Sequence, residues 1–333
     1  MKMLKQTLLY FMWASGALTP FRVANRGKIL ILTYHRFSER EEGVWISARA
    51  FRQQLEYLTE HHNVMSLGQI VTRCSQGLQL PPGTAAITID DGYRDAYEIA
   101  FPILVRYQLP ATVFVVTDFV DRKAWLWTDK LRFVTARTRA SVFKAVIGDR
   151  TFNLEMTDAV SRFEAAARVN AALKLLPDDF KEEIIVRIAS SLGVELPEVP
   201  PVEMSSTTWS QLREMECAGL EIGSHTLTHP LLTKVADDRL SRELRESRAR
   251  LESMLGHPVD QFCYPHGAYS ARVREAVANA GYQCGVTTKR GLNGRQCDSL
   301  TLRRIHTAPD FPHFVQSASG AEDMKGKLRA LVD

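Results

Sequence analysis

Short β-branched runs alternate along this chain with longer amphipathic stretches. Lys28-Ile-Leu-Ile-Leu-Thr-Tyr-His35, Ala85 to Ile89 and Ala111-Thr-Val-Phe-Val-Val116 are apolar runs too short for helices, as expected of parallel strands covered on both faces. Between the first two, Ser47 caps a predicted helix whose Phe51, Leu55 and Leu58 make one apolar face, suited to covering the outside of a barrel. Pro81-Pro-Gly83 punctuates before the second run, and a helix near Pro102 to Tyr107 leads to the third. The alternation stops over 121–204, where helical stretches at Ala159 to Leu176 and Asp178 to Ser190 run to a Pro197-Glu-Val-Pro-Pro201 linker. It then resumes with a helix from Ser210 to Ala218, a strand at Leu220 to Gly223, and a long helix to Leu255 with Leu240, Leu244, Leu251 and Leu255 inward. Charges on that helix, such as Arg242 with Glu246, read as a solvated face. Strands at Gln261 to Tyr264, Gln283 to Thr288 and Leu302-Arg-Arg-Ile-His306 follow. The pattern predicts an α/β fold, a (β/α) barrel split by a helical insertion. Its parts are an N-terminal apolar and basic helix (1–27), a first barrel part (28–120), the insertion (121–204), a second barrel part (205–310) and a tail (311–333).

Composition narrows the partners. A net charge of +4 over 333 residues, without a basic run interleaved with aromatics, argues against a nucleic-acid surface. Cys74, Cys217, Cys263, Cys284 and Cys297 are odd in number and contain no C-x-x-C pair, which speaks against a disulfide framework or a structural zinc site and suits the cytoplasm. Thr7-Leu-Leu-Tyr-Phe-Met-Trp-Ala-Ser-Gly-Ala-Leu18 is too short to span a bilayer. It can be read as a minimal signal peptide of a secreted or periplasmic enzyme, as a helix packed on the domain, or as an interfacial helix whose Lys2, Lys5, Arg22 and Arg26 meet anionic lipid. The packed or peripheral readings are favoured, which places the protein in the cytoplasm or at the inner membrane. Trp125 and Trp127 could stack on sugars, but in their apolar context a core position is favoured.

The chemistry gathers at strand ends. Asp90 and Asp91 follow the Ala85 to Ile89 run, and Gly92 permits a sharp turn out of it. Active sites of β/α folds are built at that end. Neighbouring residues there point in different directions, so one carboxylate can hold a metal while the other handles a proton. Alone, Asp-Gly is more often an Asx turn or a helix cap. His225 and His229 change the balance: four residues apart on a helical turn they share a face, and with one carboxylate they form a three-ligand set that leaves positions open for water and substrate. His35 ends the first strand and would stand on the same rim.

These residues resemble the NodB-type polysaccharide deacetylases, carbohydrate esterase family four. Thr88-Ile-Asp-Asp-Gly92 is similar to that family's first motif, His225-Thr-Leu-Thr-His229 to its second, and Phe262-Cys-Tyr-Pro-His-Gly-Ala-Tyr269 to its third. The resemblance covers roughly 28–119 and 205–308 and implies a distorted (β/α) barrel of the NodB-homology type. It implies that Asp91, His225 and His229 hold a divalent ion, for which their chemistry favours zinc, that Asp90 is the general base, and that the N–H of His266 stabilises the acyl oxygen. A leading Tyr-His strand resembles the permuted subgroup, where such a histidine is the general acid; this makes His35 the first choice and His306 the second. Two departures stand out. Cys263 occupies the place of the arginine that orients the base, with Arg304 as the substitute from another strand, and His266 replaces a tyrosine. The implied activity is metal-dependent removal of N-acetyl, less readily O-acetyl, groups from an amino-sugar glycan. Two alternatives remain open, an amidohydrolase for a small non-glycan amide and a non-catalytic glycan-binding module.

Overall fold

A computed structural model describes residues 2–41 and 44–321. Strands β1 (Leu30–Tyr34), β2 (Thr84–Ile89) and β3 (Thr112–Val115) lead into a hairpin, β4 (Val142–Ile147) and β5 (Arg150–Glu155), after which come β6 (Glu221–Ser224), β7 (Gln261–Cys263), β8 (Cys284–Arg290) and β9 (Leu302–His306). The hairpin strands pair only with each other. The other seven close a parallel barrel in chain order, with β9 returning to pair with β1. This is the expected (β/α) barrel of the NodB-homology type.

The period of two along each strand decides what lies inside. Leu30, Leu32 and Tyr34 of β1, Ala85, Ile87 and Ile89 of β2, and Val113 and Val115 of β3 share a cluster with the helix residues Phe51, Leu55, Leu58, Ile103 and Leu104, so these positions face outward under the helices. The alternate positions Ile31, Ala86 and Phe114 pack instead with Cys263, Cys284, Val286 and Leu302, which fill the barrel interior. Continuing the inward series towards the carboxyl ends gives Ile31, Thr33, His35 on β1, Ala86, Thr88, Asp90 on β2, and Leu302, Arg304, His306 on β9. Apolar residues fill the interior and polar ones emerge at one rim.

The insertion has its own core. Helices Trp127–Arg137, Ala159–Leu173 and Lys181–Ser191 enclose Leu131, Val134, Val169, Leu173 and Ile185 together with Phe143 and Leu154 of the hairpin. The hairpin qualifies the expectation of a purely helical segment: Phe143 and Ile147 alternate with exposed positions, and the turn at Gly148 has φ +61°. Trp125 and Trp127 are both buried in apolar clusters, the favoured of their two readings.

At the N-terminus, helix Lys2–Ala14 packs Trp13 edge-on against Phe311, 5.6 Å between ring centroids, on helix Phe311–Ala318 of the tail. Tyr10 and Phe11 of the same helix are exposed. The side chains of Lys2 and Lys5, on which the interfacial reading partly rests, lie outside the described residues. Among the described residues no helix is long and apolar enough to cross a membrane.

Candidate active site

Asp90 ends the inward series of β2 and is almost fully buried. Its two oxygens accept from Arg304 as a fork, Nη1 to Oδ1 and Nη2 to Oδ2 at 2.7 Å each. Arg304 is itself fixed by Nη1 donating to Thr88 Oγ1 (2.9 Å), by Nε donating to the Thr287 carbonyl (2.9 Å), and by Nη2 lying 3.2 Å from Cys263 Sγ. Cys263, on β7, contacts both Arg304 and Asp90. Burial would raise the Asp90 carboxyl, but the charge and hydrogen bonds of Arg304 outweigh it and bring the pKa to about 2. Asp90 is held ionised and in one orientation.

Asp91 turns the other way. Its φ of +74° and the +76° of Gly92 make the sharp exit from β2, and a Cβ on Gly92 would stand 2.8 Å from Val115 Cγ1. Asp91 Oδ1 thereby lies 3.4 Å from His225 Nε2 and 3.6 Å from His229 Nε2. The two histidines are not on the helical turn that their spacing predicts. They sit in an irregular loop after β6 in which Thr226 and His229 have φ of +72° and +63°. The loop is held from outside by Glu243 of helix Asp237–Leu255, whose buried carboxylate accepts from the N–H groups of Leu227 (3.0 Å) and Thr228 (2.9 Å) and from the Thr228 hydroxyl. Arg242 and Glu246 of that helix are solvated, as their spacing predicts, but Glu243 between them is not.

The donor set fits a divalent cation. His225 Nδ1 lies 2.8 Å from the Cys263 carbonyl, which can only accept, so Nδ1 carries a hydrogen and Nε2 is the atom free to ligate. His225 Nε2 and His229 Nε2 are 3.2 Å apart, and two lone pairs that close need a proton or a cation between them. With Asp91, the ligand atoms fall within 4.8 Å of one another, an N₂O set of the kind that holds a catalytic transition metal. As a proton site, the pair divides unequally. Burial lowers His229 to about 3, with the charge of His225 adding to it, whereas His225 is raised against its own burial by Cys263 and Asp91.

Around this centre stand the remaining predicted residues. His35 Nε2 is 3.7 Å from Asp90 Oδ2, and the rings of His35 and His306 are 5.2 Å apart. Burial, and then the neighbouring His35, lower the pKa of His306 to about 4. His266 adopts φ +56° in the turn after β7, with its ring 4.8 Å from that of His229. The following Gly267 is required: a Cβ there would fall 2.0 Å from Thr288 Oγ1. Asp90, Asp91, His225, His229, His35, His266 and His306, but not Arg304, line a cavity of about 380 Å³. Its far wall comes from the insertion through Thr128, Arg132, Phe163 and Lys174, and Trp45 and Arg36 complete it. Sequence reasoning missed this second group and Glu243, because none of them lies in a motif.

Comparison with known proteins places the chain in a family. The polysaccharide deacetylase family model matches residues 78–285, a span that holds Asp90, Asp91, His225, His229 and His266. His35, Arg304 and His306 lie outside it, on the two strands that close the barrel. The putative polysaccharide deacetylase YxkH of Bacillus subtilis (strain 168) is 21% identical over 301 residues, covering 90% of this chain and 77% of that protein. The poly-beta-1,6-N-acetyl-D-glucosamine N-deacetylase of Escherichia coli (strain K12) is 32% identical over 103 residues, 30% of this chain and 15% of that protein. Among solved structures, the Streptococcus pyogenes deacetylase PplD in complex with acetate shares the fold with a TM-score of 0.59 at 20% identity, over 88% of this chain and 98% of that one. IcaB from Ammonifex degensii does so with a TM-score of 0.58 at 18% identity, over 88% and 97%. With more than half of its length matched by the family model, the chain belongs to the polysaccharide deacetylase family, and it is a hydrolase of that kind.

Proposed function

We propose that this protein removes N-acetyl groups from an amino-sugar glycan, using one divalent ion held by Asp91, His225 and His229. The observation that carries the reading is the fork of Arg304 on Asp90 directly beside that ligand set. The imidazole and carboxylate donors favour zinc. When bound, the ion supplies Lewis acidity and makes water a usable nucleophile near neutral pH. Asp90, kept ionised by Arg304, accepts the proton of the attacking water. The N–H of His266, in a turn locked by Gly267, donates to the acyl oxygen as charge develops there. His35 gives a proton to the leaving nitrogen, which is a poor leaving group without one. His306, with its pKa near 4, is mostly neutral at pH 7 and is the weaker candidate for that role. An amide substrate is favoured over an ester by the name of the Escherichia coli relative, an N-deacetylase.

The test is acetate release from β-1,6-linked N-acetylglucosamine oligomers by zinc-loaded protein, with an O-acetylated oligosaccharide and an activated aryl acetate as comparators. Asp90→Asn should keep its metal by elemental analysis and lose turnover by about 10³-fold. His225→Ala should lose the metal itself, and His35→Ala should impair the amide far more than the aryl acetate. Normal turnover by Asp90→Asn would remove it as the base, and unchanged metal in His225→Ala would remove that ligand.

A further inference from the structure

The charges around the cavity do not balance on its insertion side. On the barrel side Asp90 is matched by Arg304, and Arg36 by Asp95 at 2.6 Å. On the insertion side Arg132 donates to Asp129 at 2.8 Å, and its guanidinium lies over the rings of Trp45 and Phe163 at 5.3 and 5.6 Å. Lys181, just outside the cavity, pairs with Asp178 at 2.6 Å. The Lys174 ammonium has no hydrogen-bond or ion-pair partner among the described residues, and only its backbone N–H is bonded, to the Asn170 carbonyl at 3.1 Å. It is the C-cap of helix Ala159–Leu173, where a lysine commonly bonds the last carbonyls, yet its side chain makes no such bond and lines the cavity.

This arrangement costs stability as it stands. Lys174 is half-buried, and its pKa is lowered first by loss of water and then by the charges of Arg132 and Lys181. Asp91 alone acts in the opposite direction, and a bound cation would engage that carboxylate. A partly desolvated ammonium beside two other cations, each with its own carboxylate, is a ready partner for an anion from outside. Beside it the half-buried Trp45 and Phe163, 5.7 Å apart edge-on, offer an apolar edge against which a pyranose can lie.

We propose that the insertion wall selects glycans bearing an anionic group, a carboxylate or a phosphate, on or next to the amino sugar to be deacetylated, and that Lys174 recognises that group. The inference rests on the deacetylase reading and adds the charge of the substrate to it. The shared chemistry is a compact oxyanion at hydrogen-bond distance from an ammonium, flanked by the guanidinium of Arg132.

The experiment compares zinc-loaded wild-type, Lys174→Ala and Lys174→Arg protein on three N-acetylated oligosaccharides: a neutral N-acetylglucosamine oligomer, one with alternating uronic acids, and one carrying a sugar phosphate. Wild type should favour at least one anionic oligomer by about tenfold in kcat/KM, with KM rising as salt is added. Lys174→Ala should raise KM for that oligomer by about tenfold while kcat and the neutral oligomer are unaffected, and Lys174→Arg should recover most of the loss. Which anionic oligomer responds separates a carboxylate from a phosphate as the recognised group. A wild-type preference for the neutral oligomer, or an equal rise in KM on all three, overturns the inference. Should none of the three be hydrolysed, the deacetylase reading fails instead, and calorimetric binding of the anionic oligomers still decides the matter: about tenfold weaker binding by Lys174→Ala supports the inference, equal binding sinks it.

Discussion

The barrel wall and the insertion wall of the cavity face each other but are built on different terms. On the barrel wall, side chains arrive at fixed intervals from strand ends, and the buried carboxylate of Asp90 after β2 is answered by Arg304, which reaches it from β9 on the far side of β1. On the insertion wall, side chains come from helix ends and faces, and the cation Lys174 has no such answer. A wall whose charges are satisfied internally holds its geometry before substrate arrives, which favours chemistry. A wall with an unanswered charge spends its interaction on the ligand, which favours selection.

The comparison breaks most sharply at Arg304. Arg304→Met would leave the Asp90 carboxylate buried without its counter-charge, at a cost of about 3–5 kcal/mol. The pH dependence makes this specific. In the native state Asp90 has a pKa of about 2, below the 3.8 of the unfolded chain, so the pair stabilises the fold above about pH 4, and that contribution is lost as pH falls through 2. Its size is about 2 kcal/mol. Urea unfolding of the metal-free proteins should therefore show a stability gap between wild type and Arg304→Met that is widest at pH 6 to 7 and narrows towards pH 3. A gap that stays constant over that range would mean that lost packing, not the buried charge, explains the variant.

A smaller effect is expected at Glu243, which holds the histidine loop without touching the ligand atoms. In Glu243→Ala the carboxylate that accepts from the N–H groups of Leu227 and Thr228 and from the Thr228 hydroxyl is removed. The loop carrying His225 and His229 should loosen, and metal affinity should fall by about tenfold as an outer support is lost. Titration against a chromophoric chelator measures this. Unchanged affinity would show that the loop holds its shape through Thr226, whose hydroxyl accepts from His229 N–H at 3.0 Å, without help from the helix.

What could be read in the sequence follows the same division. Inward alternation is visible in Leu302, Arg304, His306 and in Ala86, Thr88, Asp90, because a strand's period of two is a property of the chain alone. Ring closure by β9 on β1 then brings Arg304 to Asp90, which makes a substitution at Cys263 readable across more than two hundred residues. The spacing of His225 and His229 points to a shared site but not to its backbone. Two residues with positive φ and a remote carboxylate hold that loop, and none of these leaves a mark in the spacing. The partners of Glu243 are mainly backbone N–H groups, which every residue carries, so its neighbour Arg242 and the nearby Glu246 hide it in a charged helix. The β4–β5 hairpin had a readable signal in its alternation of Phe143 and Ile147 and its Gly148-Asp149 turn, but long helical stretches on its C-terminal side dominate the segment. Lys174 had none, since a lysine at a helix end is ordinary until the cavity beside it is known.

The smallest expected effect sharpens the distinction between the walls most cleanly. Phe163 joins the insertion to the barrel side through its edge contact with Trp45, and Arg132 rests on its face. It is half-buried, and its ring meets Trp45 and Arg132. Phe163→Ala removes one aromatic pair and one cation–π contact, together worth about 1 kcal/mol, and so should raise KM a few-fold through a less ordered Trp45 and Arg132. Because Asp90 is held by Arg304 and the histidine loop by Glu243, without help from Phe163, kcat and metal content should stay as in wild type. Measuring kcat and KM separately on a single oligomer decides it. A fall in kcat approaching that of Asp90→Asn would mean that the insertion wall also shapes the reacting geometry, and that the two walls do not divide chemistry from selection.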